Sequence, residues 1–261
     1  MTAPRPQSGS PLIVALLGSS AAGGQYISAE ATRDALFLAN YDASSLPTMI
    51  IATAIFSIVI VVVSSRALRR VLPGLWVPLA FGAMGVLLLT EWVLAASAPR
   101  LAAWALYLLV SGFGPMLGSG FWLLASERFD PHTAKKTFSR IAAAGTLGGL
   151  LAGIGVARAA TVGGIRAMLL LAAGLALLAA WLTRRLAHSL GRIPRVVDGT
   201  AAEASPRSAF RVLAEARYLR TLAALVLFGT IAATFIEQAF MTQVKGAFET
   251  ELNLGSFFAL Y

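Results

Sequence analysis

Seven polar or ionisable side chains stand inside long apolar stretches, where they are costly and where chemistry is to be sought. Glu30, Arg33 and Asp34 are spaced by three and four residues, and Gln25 and Tyr26 precede them by one to two helical turns. On a helix, positions three and four apart share a face. A face carrying a guanidinium, two carboxylates, an amide and a phenol suits a water-filled pathway: Gln25, Tyr26, Arg33 and Asp34 as contacts to a solute, Glu30 in coupling or gating. The alternative is that the helix leaves the apolar layer here and its charges are solvated. Glu91, about seventeen residues into an apolar stretch and followed by Trp92, and Glu237, beside Gln238 late in another, are further candidates for coupling or gating. Each also reads as an interfacial helix end. An ionised side chain at the centre of a membrane helix costs roughly 2.5–3.5 kcal/mol on insertion scales, so such residues normally face a cavity or a partner.

Other chemistries find little support. The chain has no cysteine, which removes disulfides, thiolate nucleophiles and cysteine metal sites. There is no Gly-rich loop ending in Lys-Ser or Lys-Thr and no His-Glu-x-x-His. The two histidines, His132 and His188, lie in polar segments with no apparent metal partner, and neither an enzyme activity, a cofactor nor a metal is expected.

The elements that must position these residues are apolar and long. Of 261 residues, 57% are apolar and 13% charged, against about 45–50% and about 25% in an average soluble domain. The apolar residues fall in blocks near the ~20 helical residues that a ~30 Å hydrocarbon layer demands. Only helices and closed barrels satisfy their backbone in lipid, and continuous blocks rather than ten-residue alternating ones favour helices. The expected fold is an all-α, polytopic transmembrane bundle with spans near Pro11–Leu38, Leu46–Ser65, Leu75–Ser97, Leu101–Ser126, Ile141–Val162, Ile165–Thr183 and Thr221–Met241.

Sixteen of the 21 basic residues fall at the amino end, in the second-to-third and fourth-to-fifth connections, or between Arg184 and Arg220. The remaining five are Arg33, Arg100, Arg158, Arg166 and Lys245. Basic loops face the cytoplasm, so both ends of the first six spans are expected inside the cell. The formal charge of +9 is then loop charge facing anionic lipid, and its dispersal over separate loops argues against nucleic acid as a partner. Arg5, an apolar run and Ser19-Ser20-Ala21-Ala22 also resemble a secretory signal peptide.

Three regions follow: a six-helix unit over 1–183, a basic linker over 184–220, and a seventh span with the start of another over 221–261. In the linker, Ser205-Pro206 can open an interfacial helix with Phe210, Leu213 and Tyr218 among arginines. The apolar run Asn253–Tyr261 suggests an eighth span begun and cut, with a C-terminal transporter half to follow. Gly114 with Gly118 and Gly149 with Gly153 have the small-xxx-small spacing of close helix packing, and Pro115 marks a kink. These smooth surfaces would also let a bundle rock between states.

Several strings resemble a known family. Thr32-Arg33-Asp34-Ala35-Leu36-Phe37-Leu38 followed by Leu46-Pro47, Phe121-Trp122 followed by Thr133-Ala134-Lys135-Lys136 and Phe138, Arg217-Tyr218-Leu219-Arg220, and Gly255 to Tyr261 are similar to segments of the non-mitochondrial ATP/ADP translocases of plastids and bacteria. The resemblance implies a major facilitator fold, a bacterial inner (cytoplasmic) membrane location with the N-terminus inside, and alternating-access transport of a small anionic solute such as a nucleotide. Arg33 matches the position of a basic residue important for transport in that family. Ser28-Ala29-Glu30 departs from the family's basic or Pro-containing stretch, and Arg66 to Arg70 lacks the Gly and Asp of the general facilitator loop. The alternative function is a non-transporting membrane scaffold or sensor derived from a transporter half.

Overall fold

A computed structural model of the chain describes residues 9–129, 131–188 and 217–247. Their regular structure is entirely helical: α1 (Gly9–Asn40), a 3-10 turn at Ala43–Ser45, α2 (Leu46–Arg70), α3 (Pro73–Ser97), α4 (Pro99–Arg128), a helical run Pro131–His188, and Arg217–Ala247. The run Pro131–His188 is broken by non-helical backbone at Gly163 and Gly164, giving α5 (131–162) and α6 (165–188). Arg217–Ala247 is α7. The described residues through His188 form one compact unit and α7 belongs to a second.

Prolines explain where several helices begin. Pro73, Pro99 and Pro131 open α3, α4 and the α5 run, and Pro47 lies in the first turn of α2. The ring fixes a helical φ, and the missing N–H is one that a first turn cannot use. α2 and α4 end where Val71 and Phe129 turn to extended backbone.

Six helices are long and apolar enough to cross a membrane, with Lys136–His188 counted as one of 53 residues. A straight helix of that length would measure about 80 Å, more than twice the ~30 Å hydrocarbon layer. The chain instead folds back. Gly155 abuts Leu171, and Gly24 of α1 abuts Gly148, Ala152 and Leu175 together, although residues 148 and 175 would stand ~40 Å apart on a straight helix. Gly164 allows the reversal, with φ 58° and ψ −154°, a region essentially reserved for glycine. The expected stretches Ile141–Val162 and Ile165–Thr183 are the two arms of this hairpin. The chain is thus a multi-pass helical membrane protein.

Within the first unit α1 is central, packed most extensively on the α5–α6 hairpin and next on α4, while α3 lies against α6 and α4. Buried Phe37, Phe81, Met84, Leu88, Leu106 and Leu169 are among the residues filling the space between them. α1 and α5 run parallel and very close. Ser19 Oγ donates to the Ile141 carbonyl and Ser20 Oγ to the Ala144 carbonyl, each at 2.7 Å. A methyl at Gly23 would fall on the Gly145 backbone, and one at Gly148 on the Ser20 backbone. Without a hydrophobic drive between helices in lipid, such backbone approach and its hydrogen bonds hold the pair together. α2 is the least buried helix of the unit and leaves Ile51, Ile55, Ile58 and Val59 exposed.

The packing assigns loops to ends. Gly74 meets Ala187 and Gly18 meets Leu182, whereas Tyr41 hydroxyl donates to the Arg100 carbonyl and Arg166 stacks on Trp92. The α2–α3 and α4–α5 connections and the end of α6 therefore share one end, with Arg66, Arg128, Lys136, Arg140, Arg184 and Arg185 near it. The opposite end holds Arg100, Arg158 and Arg166. Arg5, the expected interfacial helix from Ser205 as far as residue 216, and the apolar run to Tyr261 lie outside the described residues, whereas Arg217, Tyr218 and Arg220, expected in that linker helix, are the first turn of α7. The second unit is described only by α7, a 31-residue helix that covers the expected span Thr221–Met241.

Candidate functional site

The polar face read on α1 is real, and α4 closes it. Arg33 is 5% exposed and Asp34 6%. Arg33 Nε donates to Asp34 Oδ1 at 2.6 Å, and one terminal nitrogen donates to Ser111 Oγ of α4 at 2.8 Å. The other lies 3.7 Å from Glu30 Oε1. The guanidinium carbon sits 4.9 Å from the centroid of the Tyr107 ring, also on α4. Glu30, a third exposed, accepts a hydrogen bond of 3.3 Å from Tyr26 hydroxyl. One guanidinium and two carboxylates leave the cluster one negative charge in excess.

Pro115 contributes indirectly. Lacking an N–H, it leaves the Ser111 carbonyl, four residues earlier, without its helical donor. The same residue's hydroxyl receives Arg33. A proline inside α4 thus makes one turn of an apolar helix locally polar, opposite the only charged stretch of α1 among the described residues.

Below the cluster lies a cavity of about 410 Å³ between α1, α3, α4 and α5. Its wall includes Gln25 and Tyr26 from α1, Phe81 from α3, Pro115, Gly118, Phe121 and Trp122 from α4, and Gly145 from α5. Gln25 is 2% exposed, and its amide has no hydrogen-bond partner among the described residues. Phe121 is buried while Trp122 packs edge-on against Phe138 at 5.8 Å between centroids. The volume lies within the roughly 300–1,000 Å³ of small-molecule sites.

The remaining candidates are placed elsewhere. Glu91 is 7% exposed and continues the buried stripe Phe81, Met84 and Leu88 of α3, with Oε2 lacking a hydrogen-bond partner. Trp92 Nε1 is likewise unpartnered, although Arg166 covers the ring at 4.4 Å. Glu91 therefore faces the core of the bundle, and its neighbour Trp92 packs on Arg166 near the end that also holds Arg100 and Arg158. Glu237 lies exposed on α7, in the second unit. Gly114 abuts the Tyr26 ring and Gly149 abuts Ile27, and Gly153 is buried. Gly118 makes no helix contact, since a methyl there would meet nothing within 4 Å. The closest helix approach is made instead by Gly23, Gly145 and Gly148, a pairing that the small-xxx-small spacing within single helices did not single out.

Sequence reading also missed Ser111 and Tyr107 as partners of Arg33. The only local signal was Ser111 standing four residues before Pro115. No group of three His, Cys, Asp or Glu side chains able to hold a metal occurs among the described residues. Comparison with protein-family models, with curated proteins and with solved structures finds no match for this chain.

Proposed function

We propose that the chain is part of a secondary transporter that passes a small solute by alternating access, with the solute held in the cavity between α1, α3, α4 and α5. The observation that carries this reading is the cavity itself: a half-open cleft of about 410 Å³ among four apolar helices, linked through Tyr26 to the cluster that buries Arg33 and Asp34. Buried charge within a membrane bundle is costly and is retained where a pathway uses it. The Gly and Ser seam of α1 with α5 supplies smooth surfaces that suit rocking of one helix group against another.

In this reading the basic end of the first unit faces the cytoplasm, because Arg66, Arg128, Lys136, Arg140, Arg184 and Arg185 lie near it, against Arg100, Arg158 and Arg166 at the other end. An anion such as a nucleotide, which the family resemblance points to, would have to reach Arg33. Asp34 and Ser111 occupy that guanidinium and Glu30 stands beside it, so anion binding requires at least one of these partners to give way.

Gly118 offers a test, since it lines the cavity and a Cβ there meets nothing within 4 Å. Gly118→Leu should leave thermal stability unchanged and abolish uptake by proteoliposomes, assayed with labelled nucleotides, phosphate, organic anions and organic cations. Uptake unaffected by Gly118→Leu would overturn the cavity as the place of the solute, and uptake absent with every solute would favour a non-transporting membrane scaffold.

A further inference from the structure

The cavity and the charges beside it have the wrong sign for an anion. Four aromatic rings, Tyr26, Phe81, Phe121 and Trp122, form much of its wall, and no basic side chain lines it among the described residues. Arg33 is not part of that wall. Its Nε and one terminal nitrogen are taken by Asp34 and Ser111, and Tyr107 covers its face. The charge linked most directly to the cavity is Glu30, whose carboxylate is held by the hydroxyl of the lining residue Tyr26. Glu30, Arg33 and Asp34 together carry one excess negative charge, and the Gln25 amide, 98% buried by its 2% exposure, lines the cavity with its hydrogen-bonding capacity unused among the described residues.

Aromatic faces present negative potential and attract cations, most strongly where water is excluded. A carboxylate at the edge of such a box adds charge attraction and directs the positive centre. An anion entering the same space would meet aromatic rings and no basic side chain in the wall, with the Glu30 carboxylate behind Tyr26. Resting on the transporter reading above, we infer that the solute of this cavity is a monovalent organic cation with an aromatic or bulky apolar body. The body lies against the rings, the positive centre turns toward Glu30, and the Gln25 amide supplies a hydrogen bond.

The test uses the 261-residue chain in nanodiscs of zwitterionic lipid, with empty nanodiscs to subtract partitioning. Ethidium is the cationic probe, followed by fluorescence anisotropy, with tetraphenylphosphonium as competitor. A trinitrophenyl nucleotide and a neutral naphthyl alcohol serve as the anionic and uncharged probes. The expected result is saturable ethidium binding that tetraphenylphosphonium displaces. Glu30→Gln should weaken it by about tenfold or more, as loss of a charge-assisted contact does, as should Trp122→Ala. Glu30→Asp, which keeps the charge, should retain most of it and guards against misfolding as the cause. Ethidium binding insensitive to Glu30→Gln would overturn the inference. So would binding of the nucleotide or the alcohol with ethidium excluded, which leaves the transporter reading standing. Failure of all three probes to exceed empty nanodiscs would remove both.

Discussion

Arg33 and Asp34, adjacent in the chain, make the shortest contact of the buried cluster, 2.6 Å between Nε and Oδ1. Adjacent residues on a helix normally point apart. Here the long arginine side chain curls back because Ser111 and Tyr107 of α4 fix its far end. The pair is thus a cross-helix device, and its partners are as much on α4 as on α1.

Breaking that pair should cost stability through the charge left behind. Arg33→Ala is expected to destabilise by about 3–5 kcal/mol, the typical penalty for stranding one member of a buried pair. Replacing both as Arg33→Met with Asp34→Leu should recover more than half of the loss. Thermal unfolding in detergent of the two single variants and the double variant checks this; strictly additive losses would mean that the two side chains do not act together.

The α1–α5 seam predicts a sharp contrast between glycines. Gly148→Ala drives a methyl into the Ser20 backbone and should cost about 1–3 kcal/mol, the usual range for overpacking. Gly118→Ala points into open space and should change stability by less than about 0.5 kcal/mol. Unfolding midpoints measured side by side decide it, and equal effects would contradict the helix contact described.

At the hairpin, Gly164→Ala places a side chain in backbone that only glycine adopts readily, with φ 58° and ψ −154°. The expected penalty is about 1–3 kcal/mol. Gly163→Ala, with φ −139°, lacks that conformational cost, although its methyl would press on Ala167. Folded yield and unfolding midpoint are the measurements, and Gly164→Ala should be the worse of the two.

Glu91 has an unpartnered buried oxygen, so removing the carboxyl should help the fold. Glu91→Leu, of similar size, is expected to stabilise by about 1 kcal/mol or more, the cost of leaving a buried acceptor unsatisfied. A raised midpoint together with impaired uptake would identify Glu91 as a residue kept for transport. A lowered midpoint would show that the carboxyl is satisfied in the membrane.

Orientation can be read chemically, because a chain without cysteine has no background labelling. Ser126→Cys lies at the basic end and Ser97→Cys at the other, and both positions are exposed. An impermeant maleimide added outside intact cells should label Ser97→Cys and leave Ser126→Cys untouched until the membrane is opened. The reverse pattern would invert the topology.

Membrane residence, helical class and the approximate limits of the spans were legible in the sequence, because transfer into lipid is a local sum over neighbouring residues and helices satisfy their own backbone. The shared face of Glu30, Arg33 and Asp34 was legible for a similar reason, since helical spacing is a property of one segment. What lies across from that face was not. Ser111 is 78 positions from Arg33, and Gly148 is more than a hundred from Ser20. Only the tertiary structure decided that α1 packs on α5, that Arg33 is already occupied by Asp34 and Ser111, that Glu91 faces the core, and that the cavity wall is aromatic rather than basic. Those outcomes depend on which helix surfaces meet, and in lipid that choice is made by backbone approach and side-chain fit between distant segments, which no window along the chain contains.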